Sequence, residues 1–360
     1  MIIGIIGLPS SGKTTVFNAL TGSHKHTGGF SATATEPNVA VIKVPDPRMD
    51  LLGQMHPDKR VVLATVEYLD LVGVFSESSA HSKPGAASPL AVLRQADAIA
   101  IVIRAFADDS VAHPKGSIDP LRDLRFIQSE LTLADLQVVE KRMDKLEKSV
   151  ARGGMSQAEK EEFATLGVCK KALEEERPLS QAPLHEADRK RLAGFCLFAD
   201  KPRIIVLNIG ENQIGDESVS KPLVGAGDEV IALCAKLEME IFELDEADRK
   251  DFIKDMGIGT PASEKLIQSS YRILNLASFF TIGKDEVRAW TIHRGDPAVT
   301  AAAKVHTDMA RGFIRAEVVA FDDLKTLGSM KDVKAKGRLR LEGKDYVVKD
   351  GDVIQFRFSV

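Results

Sequence analysis

The 360-residue sequence predicts an α/β chain in which a layered sheet is interrupted by an antiparallel helical hairpin and followed by a small α+β domain. Three observations lead there. Apolar strand-like runs alternate with helical stretches over much of the chain, as in a sheet with helices on its faces. From Leu136, apolar residues Leu136, Val139, Met143, Leu146 and Val150 recur in steps of 3 and 4, a coiled-coil seam. The last stretch changes character, with β-rich runs and a turn signal at Asp350-Gly351.

In order along the chain, Ile2–Ile6 reads as a buried strand and Thr14–Leu20 as a helix. Between them Gly7-Leu-Pro-Ser-Ser-Gly12-Lys13-Thr14 fits G-x-x-x-x-G-K-[ST] at every fixed position. A tight strand-to-helix loop turns its backbone N–H groups inward, and the helix dipole adds partial positive charge. Gly7 and Gly12 remove Cβ atoms that would block a phosphate or strain the turn. Lys13 reaches the β- and γ-phosphates, and the Thr14 hydroxyl is placed to ligate Mg²⁺. The first domain is therefore a P-loop, G-domain-like nucleotidase fold.

Further strands are expected at Val39–Val44, Val61–Leu69, Ala98–Arg104, Arg203–Leu207 and Glu229–Leu233. Val61–Leu69 ends in Asp70-Leu-Val-Gly73, a D-x-x-G one strand after the P-loop. Asp70 stands where a carboxylate faces Mg²⁺ through water, and Gly73 can offer its N–H to the γ-phosphate. Val74 follows, where many switch GTPases place a water-orienting Gln. After Arg203–Leu207 comes Asn208-Ile-Gly-Glu211, in place of the guanine pattern N-K-x-D. Glu211 is a carboxylate one methylene too long, and Ile209 replaces a stacking Lys stem, so the loop does not specify guanine by itself.

Residues 128–192 are expected to form the hairpin, with Gly153-Gly154 as its turn and Phe163, Leu166, Cys169 and Leu173 as the returning stripe. Residues 1–127 and 193–276 form the P-loop domain around it, and 277–360 the C-terminal domain. In the last, strands are expected at Val287–His293 and Ile314–Val319, with a hairpin pairing Tyr346–Val348 and Val353–Phe358. From Ala277 onward there are 15 Lys and Arg against 12 Asp and Glu, a local +3.

The net charge of −4 sets up no global field that recruits nucleic acid, so DNA is not an expected partner and RNA contact requires a local patch. Cys169, Cys196 and Cys234 have no metal spacing and suit a reducing cytoplasm. The strand-like N-terminus carrying the P-loop is not a signal peptide, and no 18-residue apolar run predicts a membrane span. A monomer is expected.

Together the residues resemble the YchF/Obg-like ATPases over nearly the whole length. The matching stretches are GLPSSGKTTVFNALT, TEPNVAVIKVPDPRMD, DLVG, SIDPLRDLRFIQSELTLADL, NIGE and the C-terminal set DEVRAWTI, AAAKVHTDMARGFIRAEV and KDGDVIQF. The resemblance implies that residues 277–360 are a TGS domain, a ubiquitin-like β-grasp module, and that the ligand is ATP or GTP with Mg²⁺. It implies association with the ribosome or its RNA. It assigns the phosphates to Leu8, Pro9, Ser10, Ser11, Gly12, Lys13, Thr14 and Thr15, and switch II to Asp70 and Gly73. It places the base among Asn208, Ile209, Glu211 and the backbone of Cys234 and Ala235. A loop histidine matches His113, which with Lys13 would be catalytic and replace the missing Gln. Departures are Ser10-Ser11 for Asn-Val and a switch I reading FSATATEPN. There the expected Thr falls on Ala34, flanked by Thr33 and Thr35, so either the Mg²⁺ contact passes to one of these neighbours, with Thr35 as the candidate ligand, or it is absent. The segment SESSAHSKPGAAS lacks the family's usual basic, glycine-dense pattern. A nucleotide-binding adaptor with little or no turnover is the alternative to a slow hydrolase.

Overall fold

The computed structural model describes residues 1–22, 37–71, 73–75, 88–150, 154–224, 228–255 and 260–359. Among these, the strands in chain order are β1 Ile2–Gly7, β2 Asn38–Lys43, β3 Arg60–Val62, β4 Thr65–Asp70, β5 Ala98–Arg104, β6 Arg203–Asn208, β7 Glu229–Leu233, β8 Leu276–Ile282, β9 Glu286–His293, β10 Phe313–Ala320, β11 Arg340–Glu342 and β12 Asp352–Phe358. They form two sheets, and the chain divides into two compact units: Met1–Val39 with Tyr68–Ala262, and Ala40–Glu67 with Ser263–Val360.

The first sheet has the order β2-β4-β1-β5-β6-β7, with β1, β5, β6 and β7 parallel. β5 is buried at every position, as a continuous apolar run in a sheet covered on both faces must be. The Lys13–Thr21 helix buries Val16, Phe17, Ala19 and Leu20 and ends at Gly22, whose φ of 62° closes the last turn onto the Asn18 carbonyl.

One unbroken helix, Pro120–Val150, serves two cores. Leu124, Ile127 and Leu131 pack with Ile99, Ile101 and Leu207 of the sheet. Further along, Val139 and Leu146 pack with Leu166, Cys169 and Leu173 of the Gln157–Glu174 helix. The two helices run antiparallel, since Glu140 pairs with Lys170 and Arg142 with Glu162. The seam is therefore real, but the helix starts before residue 128, and its first turns belong to the sheet's core. Burial pushes the Cys169 thiol up to about 12, so it acts as a small core hydrophobe.

The second unit carries the sheet β11-β10-β12-β8-β9-β3. β8 and β12, the first and last strands of the module, lie side by side in parallel at its centre, flanked by antiparallel β9 and β10. That is the β-grasp arrangement. The Ala298–Val305 helix lays Ala298, Ala301 and Ala302 against Phe279, Ile292, Val318 and Ile354.

Two strand expectations differ from the structure, and one strand was not expected. Val61–Leu69 is two strands: β3 pairs with β9 in the second sheet, while β4 joins the first. Leu276–Ile282 is a strand in its own right. Tyr346–Val348 is no hairpin partner, touching Pro297 through an isolated bridge at Val347, while β12 pairs with β10 and β8. Asp350-Gly351 is still a turn, with Gly351 at φ 90°. The contact units also place residues 40–67 with the C-terminal part and begin that part's main segment at Ser263.

Candidate active site

β1 delivers the chain into the P-loop at Gly7, and the helix begins at Lys13. Ser10 and Gly12 take left-handed backbone conformations, at φ 61° and 86°. The glycines answer to protein packing as well as to ligand space. A Cβ on Gly7 would sit 2.3 Å from the Val102 carbonyl oxygen, and one on Gly12 would sit 2.2 Å from Asn208 Nδ2. The Lys13 ammonium is folded back over the loop, donating to the Leu8 carbonyl at 2.9 Å. Burial lowers its pKa to about 8, partly countered by the negative charge of Asp70. Leu8 and Ser11 are buried, Pro9 and Ser10 form the outer bend, and Thr14 and Thr15 occupy the helix's first turn.

Asp70, at the end of β4, is fully buried. Its Oδ2 accepts from Thr14 Oγ1 at 3.0 Å and from Asn38 Nδ2 at 3.3 Å. Its Oδ1 is buried with no hydrogen-bond partner among the described residues. A buried carboxylate oxygen left over beside a Thr hydroxyl fits a divalent ion approached through water. Gly73 takes φ 80°, and Val74 is buried in the hydrophobic core, so its side chain has no part in orienting water. Thr35 lies outside the described residues, as does most of SESSAHSKPGAAS.

Asn208 is the hub of the base side. Its Nδ2 donates to the Ser11 carbonyl at 3.1 Å, and its Oδ1 accepts from the Ala235 N–H at 3.2 Å. Its own carbonyl accepts from the N–H groups of Ala105 and Phe106. One residue thus ties together the P-loop and the Cys234-Ala235 turn through its carboxamide, and the end of β5 through its backbone carbonyl. Ile209 packs into the core, while Glu211 opens a 3₁₀ turn with its carboxylate exposed and paired with Lys236 at 2.9 Å.

Two residues on this side escape motif reasoning. Phe106 lies against both Gly12 and Gly210, with Arg104 over its ring at 4.4 Å. Buried Arg104 donates to the carbonyls of Phe106, Asp108 and Val111, anchoring the loop that leads to His113. Lys236 follows the Cys234-Ala235 turn. An aromatic after R-A and a lysine after C-A carry no fixed spacing of their own, so only the fold brings them in.

His113 sits on that loop with its side chain almost fully covered. Its Nε2 is 2.9 Å from Asp123 Oδ2, and its Nδ1 accepts from the Lys115 N–H at 3.1 Å. Both ring nitrogens are engaged, which assigns the tautomer with the proton on Nε2. The structure therefore ties His113 to the start of the Pro120–Val150 helix, and its hydrogen bonds do not run to Lys13, Thr14 or Asp70.

Comparison with known proteins gives the same layout. The sequence family MMR_HSR1, described as a 50S ribosome-binding GTPase, matches residues 2–142. YchF-GTPase_C, described as a protein of unknown function, matches residues 276–359. The chain is 40% identical over 367 residues to the ribosome-binding ATPase YchF of Bacillus subtilis (strain 168), covering 99% of each. It is 36% identical over 365 residues to the Obg-like ATPase 1 of Caenorhabditis elegans, covering 99% of this chain and 92% of the relative. The solved Schizosaccharomyces pombe YchF GTPase superposes with a TM-score of 0.84 at 29% identity, covering 99% of this chain and 97% of that one. With a P-loop backed by a buried Asp70, an N-x-x-E loop in the guanine-loop position and relatives matched end to end, this chain belongs to the YchF family of P-loop nucleotidases.

Proposed function

We propose that this chain binds ATP, with GTP as a competing ligand, at the loop from Gly7 to Thr15, and slowly hydrolyses it to ADP and phosphate. We further propose that it does so with Mg²⁺, in association with the ribosome and in the cytoplasm. The observation that carries the reading is the 3.0 Å Thr14–Asp70 pair beside a buried Lys13, with one Asp70 oxygen unpartnered among the described residues. Thr14, and Asp70 through water, would hold the ion, which would offset the negative charge of the phosphates. Loop N–H groups and the Lys13 ammonium bind and orient the triphosphate. His113 is the candidate for positioning water, and that role requires it to leave Asp123. The ribosome reading rests on what the relatives are named for.

A second reading, a nucleotide-binding adaptor with little turnover, is favoured by two observations: Val74 is in the core and both His113 nitrogens are engaged. Single-turnover hydrolysis of bound ATP at saturating enzyme tests the choice. Phosphate release above the buffer rate supports the hydrolase, and release no faster than buffer leaves the adaptor.

A further inference from the structure

The Glu211–Lys236 ion pair lies where the nucleotide base is expected, and no motif accounts for Lys236. Glu211 stands at the fourth position of the N-x-x-E loop, and a guanine-reading loop uses a free carboxylate there to accept from N1–H and N2–H. In this protein the Glu211 Oε1 is already bonded to Lys236 Nζ at 2.9 Å. Glu240 also lies near that ammonium, at 4.0 Å one turn along the same helix, and the Asp108 carboxylate feels its charge. A hydrogen bond holds the two segments together: the side chain of Asn208, the first residue of the N-x-x-E loop, accepts from the Ala235 N–H at 3.2 Å, so residues 211 and 236 leave from joined segments. Both side chains remain more than half exposed, at 54% and 73%, so a base edge can reach them.

We infer that Lys236 is a base-specificity residue, and that it makes this loop accept adenine over guanine. This rests on the nucleotide reading above. Guanine presents a donor at N1, and adenine presents an acceptor there. A bare carboxylate at Glu211 would attract the first and repel the second. An ammonium clamped onto that carboxylate neutralises it and adds N–H donors, because Lys carries three and no acceptor. Adenine N1 then meets a donor and its N6 amine keeps an acceptor on Glu211. Guanine N1–H meets an ammonium and loses the free carboxylate that would select it. A mismatched polar edge in such a site is costly because a group is left unpaired.

Titration of the nucleotide-stripped full-length protein with ATP and with GTP, both with Mg²⁺, tests this in the wild type and in Lys236→Met and Lys236→Arg. Met keeps the apolar stem and removes the charge, and residue 236 is exposed enough for the fold to tolerate it. The expected result is a wild type that prefers ATP, a Lys236→Met protein whose ATP-to-GTP affinity ratio falls about tenfold, and a Lys236→Arg protein that keeps the preference. An unchanged ratio in Lys236→Met, or an equal fall in Lys236→Arg, overturns the inference and leaves the nucleotide reading standing. A wild type that prefers GTP also overturns the inference alone. A wild type that binds neither nucleotide overturns both.

Discussion

Arg48 Nη2 donates to Asp350 Oδ1 at 3.2 Å across 302 residues of sequence. The same guanidinium grips Asp46 and lies 4.9 Å over the Phe280 ring. Asp350 also accepts from the Ser278 N–H at 2.9 Å and faces Arg294 at 3.4 Å. Arg48 is thus a clasp that holds an early segment to the β-grasp turn, with Asp46 mostly covered and Asp350 at the surface. Arg48→Ala leaves Asp46 and Asp350 short of a charged donor and is expected to cost about 2 kcal/mol. Trp290 is the one tryptophan and lies in β9, so its fluorescence during urea unfolding reads this unit. A midpoint equal to wild type rejects the clasp.

Lys13→Ala is expected to abolish measurable ATP binding while circular dichroism stays that of the wild type. Each charge-assisted contact to phosphate is worth roughly 1.5–3 kcal/mol, and the ammonium reaches several oxygens. Calorimetry showing wild-type affinity in the variant would remove the phosphate assignment.

The lowered pKa of Lys13, about 8 against an ordinary 10.5, predicts a pH limit on binding. Phosphate binds the ammonium form and raises its pKa. Affinity is therefore full below about pH 8 and falls toward a decade per unit above it. The folding linkage has the opposite sign. Between about pH 8 and 10.5 the unfolded chain holds the proton that the folded chain has released, so this residue's contribution to stability rises with pH. Loss of affinity there without unfolding is the expected signature, and a flat affinity between about pH 7 and 9.5 contradicts it.

His113→Ala is expected to slow single-turnover hydrolysis by about 10²–10⁴-fold, with ATP affinity within a few-fold of wild type. Asp123→Ala releases the Nε2 side of the ring without removing it. If the imidazole acts after leaving Asp123, that variant retains turnover when His113→Ala has lost it. Equal rates in wild type and His113→Ala take the histidine out of the mechanism.

Ribosome association should weaken steeply with salt, because Lys and Arg that meet RNA release counterions. Lys141, Lys145 and Lys148 are exposed cations on the second half of the Pro120–Val150 helix. Reversing all three to Glu changes no core residue. Co-sedimentation at low and moderate salt should show weaker pelleting and a shallower salt slope for the variant. Pelleting equal to wild type removes the hairpin from the interface, and a wild type that never pellets removes the ribosome.

The P-loop was legible because its chemistry is local: eight consecutive residues between a strand and a helix. Asp70 was legible because a carboxylate ending an apolar strand has few other uses. Asn208 was readable as a loop residue but not as the hub for Ser11, Ala235 and Phe106, because those partners are distant in sequence. Phe106 and Lys236 were hidden for the same reason, while the Asp123 hold on His113 was hidden because the loop that brings the two together carries no motif. The strand Val61–Leu69 read as one because Leu63-Ala64 carries no turn residue, although the chain changes sheets there. The boundary at residue 128 fell inside a helix because nothing in Leu124–Val139 breaks the helical period while the helix exchanges one core for another.

The second unit is assembled from two pieces of chain, Ala40–Glu67 and Ser263–Val360. During synthesis the first piece emerges about 200 residues before its partners, which at roughly 5–20 residues per second means on the order of tens of seconds. For that interval Arg60–Val62 has no β9 to pair with, and Arg48 has no Asp350 to clasp. Lys59, just before that strand, and Arg60, its first residue, are cationic, and charge on an unpaired edge discourages pairing with another chain. Once made, the unit cannot be released by trimming a C-terminal tail: its sheet ends on a strand encoded near the other end of the chain.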